Sequence, residues 1–406
     1  MNLLGKPLTD AVFSGTIFSV EQRKEQRRVN TNKTPSQAPK GSRREAIFCF
    51  WMLLFAIFEV ILLVVVLSRT FAGATLDNPP PPHEEESTSE TESETEPSES
   101  VPVFSGGVIP TMPSKTAATV TLSGIDSKYA VLVNAKTGEI VAGRDFDTPF
   151  SPASMTKVMT LIVACENLTA EDLERRLPLT DEIVQHVTSG NYRGTEVALP
   201  LESNGYSCIG DTYSIRDLLY GIGVMSAADC TYMIAKEVAG TEEAFVALMN
   251  QKAAELGLTN THFDNAVGFD SPTNVTTARE MAVIMAYAMQ SERIADILKP
   301  LSTNSSILAN YVLDGKEGSY SVELKASLLS RTNKYPEFAL TTSKLVATKT
   351  GYTTESFMVV TAEATAGGTQ YILVLGDADS GTAETIAQKF KNTMVDIETI
   401  LNTYVP

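Results

Sequence analysis

Pro152-Ala153-Ser154-Met155-Thr156-Lys157, running into the apolar stretch Val158, Met159, Leu161 and Ile162, is the segment on which the reading of this chain turns. The apolar spacing predicts a helix, with Ser154 and Lys157 near its start. Residues at i and i+3 share a helix face, so the hydroxyl and the amine can touch. A helix N-terminus carries roughly half a positive charge, which favours a developing oxyanion and disfavours a protonated amine beside it. A serine served by its own lysine is a nucleophile with a base and needs no histidine. This is the only Ser-x-x-Lys in the sequence, but the motif is short, so its weight rests on what surrounds it.

Charge and hydropathy place the segment outside a membrane. The 406 residues carry a formal net charge of -17, too acidic for a nucleic-acid partner. Residues 1–45 nevertheless hold nine Lys/Arg against four acids, and read as a basic, unstructured cytoplasmic segment. Residues 46–67 follow, with Glu59 as their only charge. As a helix these residues span roughly 33 Å, enough for a hydrocarbon core of ~30 Å. A cleaved signal peptide is the alternative, since Ala72-Gly73-Ala74 has the look of a cleavage site. Signal peptides have short charged leaders and apolar runs of only ~7–15 residues, which favours an uncleaved transmembrane helix. The basic flank stays inside, which puts the C-terminal bulk outside the cell. Glu59 reads as a tolerated acid within the span.

Residues 68–118 read as a linker, with Pro79 to Pro82 and eight glutamates between Glu84 and Glu99 set among Ser and Thr. Such a stretch buries too little to fold, and its like charges extend it. Nothing there fixes ligand geometry for calcium. The three histidines form no metal motif, and no Cys-x-x-Cys occurs, so no cofactor or metal is expected. Cys49 lies in the span. Cys165 and Cys230 fall on apolar helical runs as buried thiols, although an exported location leaves a bridge among Cys165, Cys208 and Cys230 open.

The remaining residues, 119–406, have the composition of one globular domain. Ala130 to Val133 and Glu139 to Ala142 flank Lys136-Thr137-Gly138 and predict a hairpin. Helical periodicity marks Glu242 to Leu256 and Thr276 to Met289, and Ser214 is placed to cap a helix. Phe357 to Ala362 and Gln370 to Leu375 read as strands joined at Gly367-Gly368. Ile386, Phe390, Met394, Ile397 and Leu401 step by three or four and predict an amphipathic C-terminal helix. Strands at both ends and helices between them predict an α+β fold, an antiparallel sheet flanked by helices with an inserted helical subdomain.

Two later elements give the first motif its weight. Ser226-Ala227-Ala228-Asp229 follows the apolar run Leu218 to Met225, and Lys349-Thr350-Gly351 adjoins Tyr352 and the first C-terminal strand. Lys-Thr-Gly occurs twice. Lys136-Thr137-Gly138 precedes the serine and fits a two-strand turn, so only the second copy is assigned to chemistry. The order Ser-x-x-Lys, Ser-centred loop, Lys-Thr-Gly is the serine acyl-transfer set.

On these motifs residues 120–406 resemble the D-alanyl-D-alanine carboxypeptidases, the low-molecular-weight penicillin-binding proteins. Further matching stretches are Gly210 to Gly221, Gly223-Val224-Met225-Ser226, Thr261 to Asn265 and Gly268-Phe269-Asp270. The resemblance implies a β-lactamase/transpeptidase-like fold. It implies that Ser154 attacks the penultimate D-alanine carbonyl of a peptidoglycan stem peptide and releases the terminal D-alanine. Lys157 would take the serine proton and Ser226 would relay one to the leaving amine. Lys349, Thr350 and Gly351 would hold the substrate carboxylate, and the backbone N–H groups of Ser154 and Tyr352 would form the oxyanion hole. β-Lactams would trap the acyl-enzyme.

The family's central motif is Ser-x-Asn, and here its third position is Ala228. The missing amide removes a positioning contact of about 1–3 kcal/mol. A weakly active or inactive wall-associated penicillin-binding protein is therefore the alternative to an active carboxypeptidase. A β-lactamase would need a deacylating Glu-x-x-Leu-Asn before Lys349; Glu398, Leu401 and Asn402 come after it and read as helix packing. His262 reads as a loop support with no acid placed to orient it, and Tyr220 and Tyr232 as packing residues.

Overall fold

A computed structural model describes residues 102–189, 195–203, 206–299, 306–313, 315–324, 338–352, 356–378 and 385–406. In chain order, strands β1 (Ser114–Thr121), β2 (Tyr129–Asn134) and β3 (Glu139–Arg144) come first. A 3-10 turn, Ala153–Thr156, leads into helix α1 (Lys157–Asn167). The middle carries β4 (Arg176–Pro178), α2 (Asp181–Thr188), β5 (Glu202–Ser203), β6 (Tyr206–Ser207), β7 (Thr212–Ser214) and α3 (Ile215–Tyr220). Helices α4 (Ala228–Ala239), α5 (Glu242–Glu255), α6 (Ala278–Ala288) and α7 (Glu292–Ile297) follow, then strands β8 (Ser306–Leu313) and β9 (Lys316–Glu323). Strands β10 (Ser343–Tyr352), β11 (Ser356–Ala364) and β12 (Gln370–Gly376) precede the terminal helix α8 (Ile386–Tyr404).

The main sheet has the order β1-β3-β2-β12-β11-β10 and so joins the two ends of the domain. The expected hairpins are present: β2 pairs with β3, and β11 with β12, both antiparallel. Alternation along the strands feeds two cores. Val131, Val133, Val359, Ile372 and Val374 face the helical body. Ala130, Leu132, Met358, Val360, Leu373 and Leu375 face α8. Sheets buried on both faces read as continuous apolar runs, which is how these strands look in sequence. On α8, Phe390, Met394, Ile397 and Leu401 are all buried, each contributing about 1.5–3 kcal/mol. Asp396 ties that helix to the loop before β2 by accepting the N–H groups of Asp126 (3.0 Å) and Ser127 (2.6 Å).

Two expectations change. The spacer expected over 68–118 gives way to folded chain before its proposed end. Val103 and Phe104 donate to Leu168 and Cys165 carbonyls, Phe104 packs edge-on against Tyr287, and β1 pairs parallel with β3. Strand β1 is mostly exposed, so it pairs through its backbone and carries no apolar alternation to read. The inserted subdomain is also not purely helical, because β4-β7-β8-β9 form a second sheet. Strands β4 and β7 have three residues each, too short to show a period. Finally, Cys165, Cys208 and Cys230 are buried free thiols, which closes the disulfide alternative. The membrane span expected at 46–67 and Cys49 lie outside the described residues; among those described, no helix is long and apolar enough to cross a membrane.

Candidate active site

Ser154 sits in the 3-10 turn and Lys157 is the first residue of α1. In a 3-10 turn, side chains at i and i+3 eclipse, which brings the two groups closer than an α-helical start would. Lys157 Nζ lies 3.1 Å from Ser154 Oγ. It also donates to the Val267 carbonyl at 2.7 Å. Thr160 Oγ1 donates to the neighbouring Ala266 carbonyl, so the 266–268 loop is docked along α1. Asn265 holds that loop in shape, its Oδ1 accepting the N–H groups of Gly268 (2.7 Å) and Phe269 (2.8 Å).

Close backbone approach makes the turn rigid. Ala153 has φ of 48°, a left-handed conformation costly for alanine, and is fully buried. Gly268 has φ of 84°, and a Cβ there would stand 1.8 Å from the Ala153 carbonyl oxygen. On another side, a Cβ on Gly351 would meet the Pro152 oxygen at 3.0 Å and Ala153 Cβ at 3.2 Å. The Ser154 turn is therefore clamped between two glycines far apart in sequence, Gly268 in a loop and Gly351 on β10.

Lys157 is 2 % exposed. Burial holds its amine well below the ordinary lysine range, and the nearby Lys349 charge pushes it the same way; Glu196 and Asp229 oppose the shift. A neutral amine that donates to Val267 keeps its lone pair for the Ser154 proton. This is the state a general base requires.

Ser226 follows α3 and a π-turn at Gly221–Met225, and takes the left-handed conformation with φ of 62°. π-turns and strained residues gather at functional sites because neighbouring structure must pay to hold them. Lys349 Nζ donates to Ser226 Oγ at 2.9 Å and to the Thr350 carbonyl at 2.8 Å. Lys349 is 1 % exposed and Thr350 is also buried. They lie on β10, the edge strand of the main sheet, whose Thr348 N–H is anchored to the Leu298 carbonyl. The structure thus brings Ser154, Lys157, Ser226, Lys349, Thr350 and Gly351 into one cluster, with Tyr352 next along the strand.

Ala228, where the family pattern has asparagine, is fully buried in a small apolar group with Val187 and Val267. Its N–H donates to the Glu196 carbonyl at 2.7 Å. Asp229 reinforces the contact, its carboxylate accepting the N–H groups of Ala198 and Leu199. Desolvation raises the Asp229 carboxyl above its ordinary value, against the pull of those hydrogen bonds. An apolar methyl thus stands where an amide would donate.

The other candidates separate cleanly. Lys136-Thr137-Gly138 is the β2–β3 turn, with Asn134 Oδ1 accepting from Lys136 N and Thr137 N. Glu398 and Asn402 lie on α8, which packs on the sheet face opposite α1, and Asn402 accepts from Thr341. His262 does have an acid, contrary to expectation: Asp264 Oδ1 is 3.3 Å from its Nδ1, because the loop folds back two residues later. Its role remains a loop brace, with Nδ1 3.0 Å from the Thr273 carbonyl. Tyr220 and Tyr232 pack as expected, and both hydroxyls bond to acids, Asp296 and Glu182. Sequence reasoning missed the Val267 carbonyl and the Asn265 brace; the Asn265 and Gly268 stretches were visible, but their partner is some 110 residues upstream.

Fold and cluster together define an active-site-serine protein of the penicillin-binding class. The sequence profile of the D-alanyl-D-alanine carboxypeptidase family matches residues 114–380, and the chain belongs to that family. It is 27% identical over 255 residues to D-alanyl-D-alanine carboxypeptidase DacF of Bacillus subtilis, covering 63% of this chain and 58% of the relative. It is 34% identical over 166 residues to DacC of Escherichia coli, covering 41% of this chain and 40% of that one. The chain thus spans about half the length of these relatives. In fold it is similar to a single-site mutant of the Streptomyces K15 DD-transpeptidase, with a TM-score of 0.53 at 24% identity over 69% of this chain and 100% of that one. A Mycobacterium tuberculosis D-alanyl-D-alanine carboxypeptidase superposes with a TM-score of 0.50 at 24% identity, over 71% of this chain and 97% of its own.

Proposed function

We propose that the protein is a serine D-alanyl-D-alanine carboxypeptidase acting on peptidoglycan stem pentapeptides. The observation that carries this is the 3.1 Å approach of a buried, depressed-pKa Lys157 amine to Ser154 Oγ, beside a Lys349 that bridges Ser226 and Thr350. Ser154 Oγ attacks the carbonyl carbon of the penultimate D-alanine while its proton passes to Lys157 Nζ. The backbone N–H groups of Ser154 and Tyr352 receive the oxyanion, each donor contributing about 3–4 kcal/mol in comparable hydrolases. The C–N bond then breaks. Lys349 donates to Ser226 Oγ, which leaves the Ser226 O–H to protonate the departing amine; Ser226 regains its proton from the Lys157 ammonium, which returns Lys157 to the neutral base. Lys349, Thr350 and Gly351 hold the terminal carboxylate, a cation and a hydroxyl matching an anion. Water, deprotonated by Lys157, hydrolyses the ester and regenerates Ser154. β-Lactams acylate Ser154 by the same attack.

Residues 46–67 anchor the chain as a single membrane pass, with 1–45 cytoplasmic and the C-terminal domain extracellular on the acidic linker. Nucleic acid is not a partner. The supports are the charge asymmetry and apolar run of the N-terminal sequence.

Ala228 favours a second reading, a weakly active or inactive wall-associated penicillin-binding protein, because its methyl group cannot donate to the substrate carbonyl. Mass spectrometry of D-alanine released from a pentapeptide, with Ser154→Ala as control, decides between them. Release that depends on Ser154 supports the enzyme. Labelling of Ser154 by a penicillin without D-alanine release supports the second reading, and no labelling of folded protein sinks both.

A further inference from the structure

The inserted subdomain holds a pocket that the acyl-transfer chemistry does not use. It encloses about 340 Å³ between the β5–β6 ladder, the loop before β7 and the β8–β9 hairpin, within the size range of small-ligand sites. Three tyrosines line it: Tyr206, Tyr311 and Tyr320. Two of them are held in place. Tyr320 OH donates to Asp211 Oδ2 at 2.7 Å and meets Tyr213 OH at 3.3 Å. Tyr311 lies flat over Gly318, where a Cβ would come within 2.4 Å of its ring, and its centroid is 6.2 Å from that of Tyr320. Tyr206 is 56% exposed, and Val312 at the rim is 70% exposed.

The polar lining consists of hydroxyls, among them Ser207 and Ser319, the Cys208 thiol and the Asp211 carboxyl group. Among the described lining residues there is no lysine, arginine or histidine. That composition disfavours an anion, including the carboxylate end of a stem peptide. It suits a neutral polyol, whose C–H faces lie on aromatic rings and whose hydroxyls pair with serine, tyrosine and carboxyl groups. The exposed Val312 methyls offer a place for a small apolar substituent. We propose that this pocket binds the glycan part of the wall polymer, through an N-acetylated hexosamine unit. Asp211 and Ser226 are joined by β7, α3 and the π-turn, a path of roughly 30 Å at most, so one polymer can touch both sites. Only the choice of sugar rests on the wall-directed reading above.

The test is calorimetric titration of the full chain in detergent with the β-1,4-linked tetramer of N-acetylglucosamine. Saturable binding is expected, weakened by about tenfold or more in Tyr206→Ala and in Tyr311→Ala, the loss of one anchoring aromatic. Melting curves provide the fold control, and Tyr206 is exposed enough that its replacement leaves them unchanged. No binding by wild-type protein at millimolar tetramer, or equal binding by both variants, overturns the proposal. Binding is read without any D-alanine release, so its failure is distinguishable from failure of the carboxypeptidase reading.

Discussion

Gly268→Ala puts the clamp on the nucleophile to a direct test. The new Cβ would stand 1.8 Å from the Ala153 oxygen, about 1.6 Å short of the 3.4 Å at which ordinary contact begins. Ala153 has little room to retreat, because it is fully buried and Gly351 lies so close on the other side that even a Cβ there would stand only 3.2 Å from Ala153 Cβ. The 265–269 loop must therefore lift, taking the Val267 carbonyl from Lys157, or the Ser154 turn must shift. A displacement on the order of 1 Å at reacting groups costs about 100-fold in rate. The left-handed backbone adds about 1–2 kcal/mol and the overpacking about 1–3 kcal/mol. At ~2–4 °C per kcal/mol for a domain of this size, the melting temperature should fall by roughly 5–15 °C. The assay is the rate of acylation by a fluorescent penicillin, with a melting curve on the same sample. Gly257→Ala is the control: it also has positive φ, at 73°, but nothing within 4 Å of a new Cβ. It should lose stability from strain alone and keep its acylation rate. If Gly268→Ala acylates within twofold of wild type, or if Gly257→Ala loses as much activity, the clamp is not what positions Ser154.

Three further outcomes follow from the same geometry. Ala228→Asn should speed D-alanine release by restoring an amide donor while lowering stability by about 1–3 kcal/mol, because the methyl is fully buried against Val267; pentapeptide turnover and a melting curve check both parts. Acylation requires neutral Lys157, so its rate should rise with pH through the depressed lysine pKa. Lys349→Ala removes one cause of that depression and should move the acid limb to higher pH; the position of the limb is read, because carboxylate binding falls as well. Asp396→Ala frees α8 from Asp126 and Ser127 and should cost about 1.5–3 kcal/mol in urea unfolding without changing the acylation rate of folded protein. In wild type, burial raises the Asp396 carboxyl, so the folded state binds that proton more tightly. Its contribution to stability should therefore fall as pH rises from ~3.9 through the raised folded value.

Much of the chemistry was legible in the order of three motifs. Ser154 and Lys157 were readable as a pair because three residues of separation always bring side chains to one side of a helical turn. The choice between the two Lys-Thr-Gly copies was readable too, since turn residues between apolar runs make a hairpin. Strands β2, β11 and β12 and helix α8 announced themselves by periodicity. Strand β1 did not, because it is held by backbone pairing alone, and neither did β4 and β7, which are too short to have a period.

By itself, then, the sequence determined the candidate reacting groups, the α+β class and the alanine at position 228, all of which depend on residue type and local spacing. Only the tertiary structure decided how those groups are held. The Val267 carbonyl on Lys157, the two glycines against Ala153, and the Lys349 ammonium between Ser226 and Thr350 join segments up to some 200 residues apart. Such contacts arise from close packing and burial, which no local pattern encodes, and it is burial above all that holds the Lys157 amine below the ordinary lysine range.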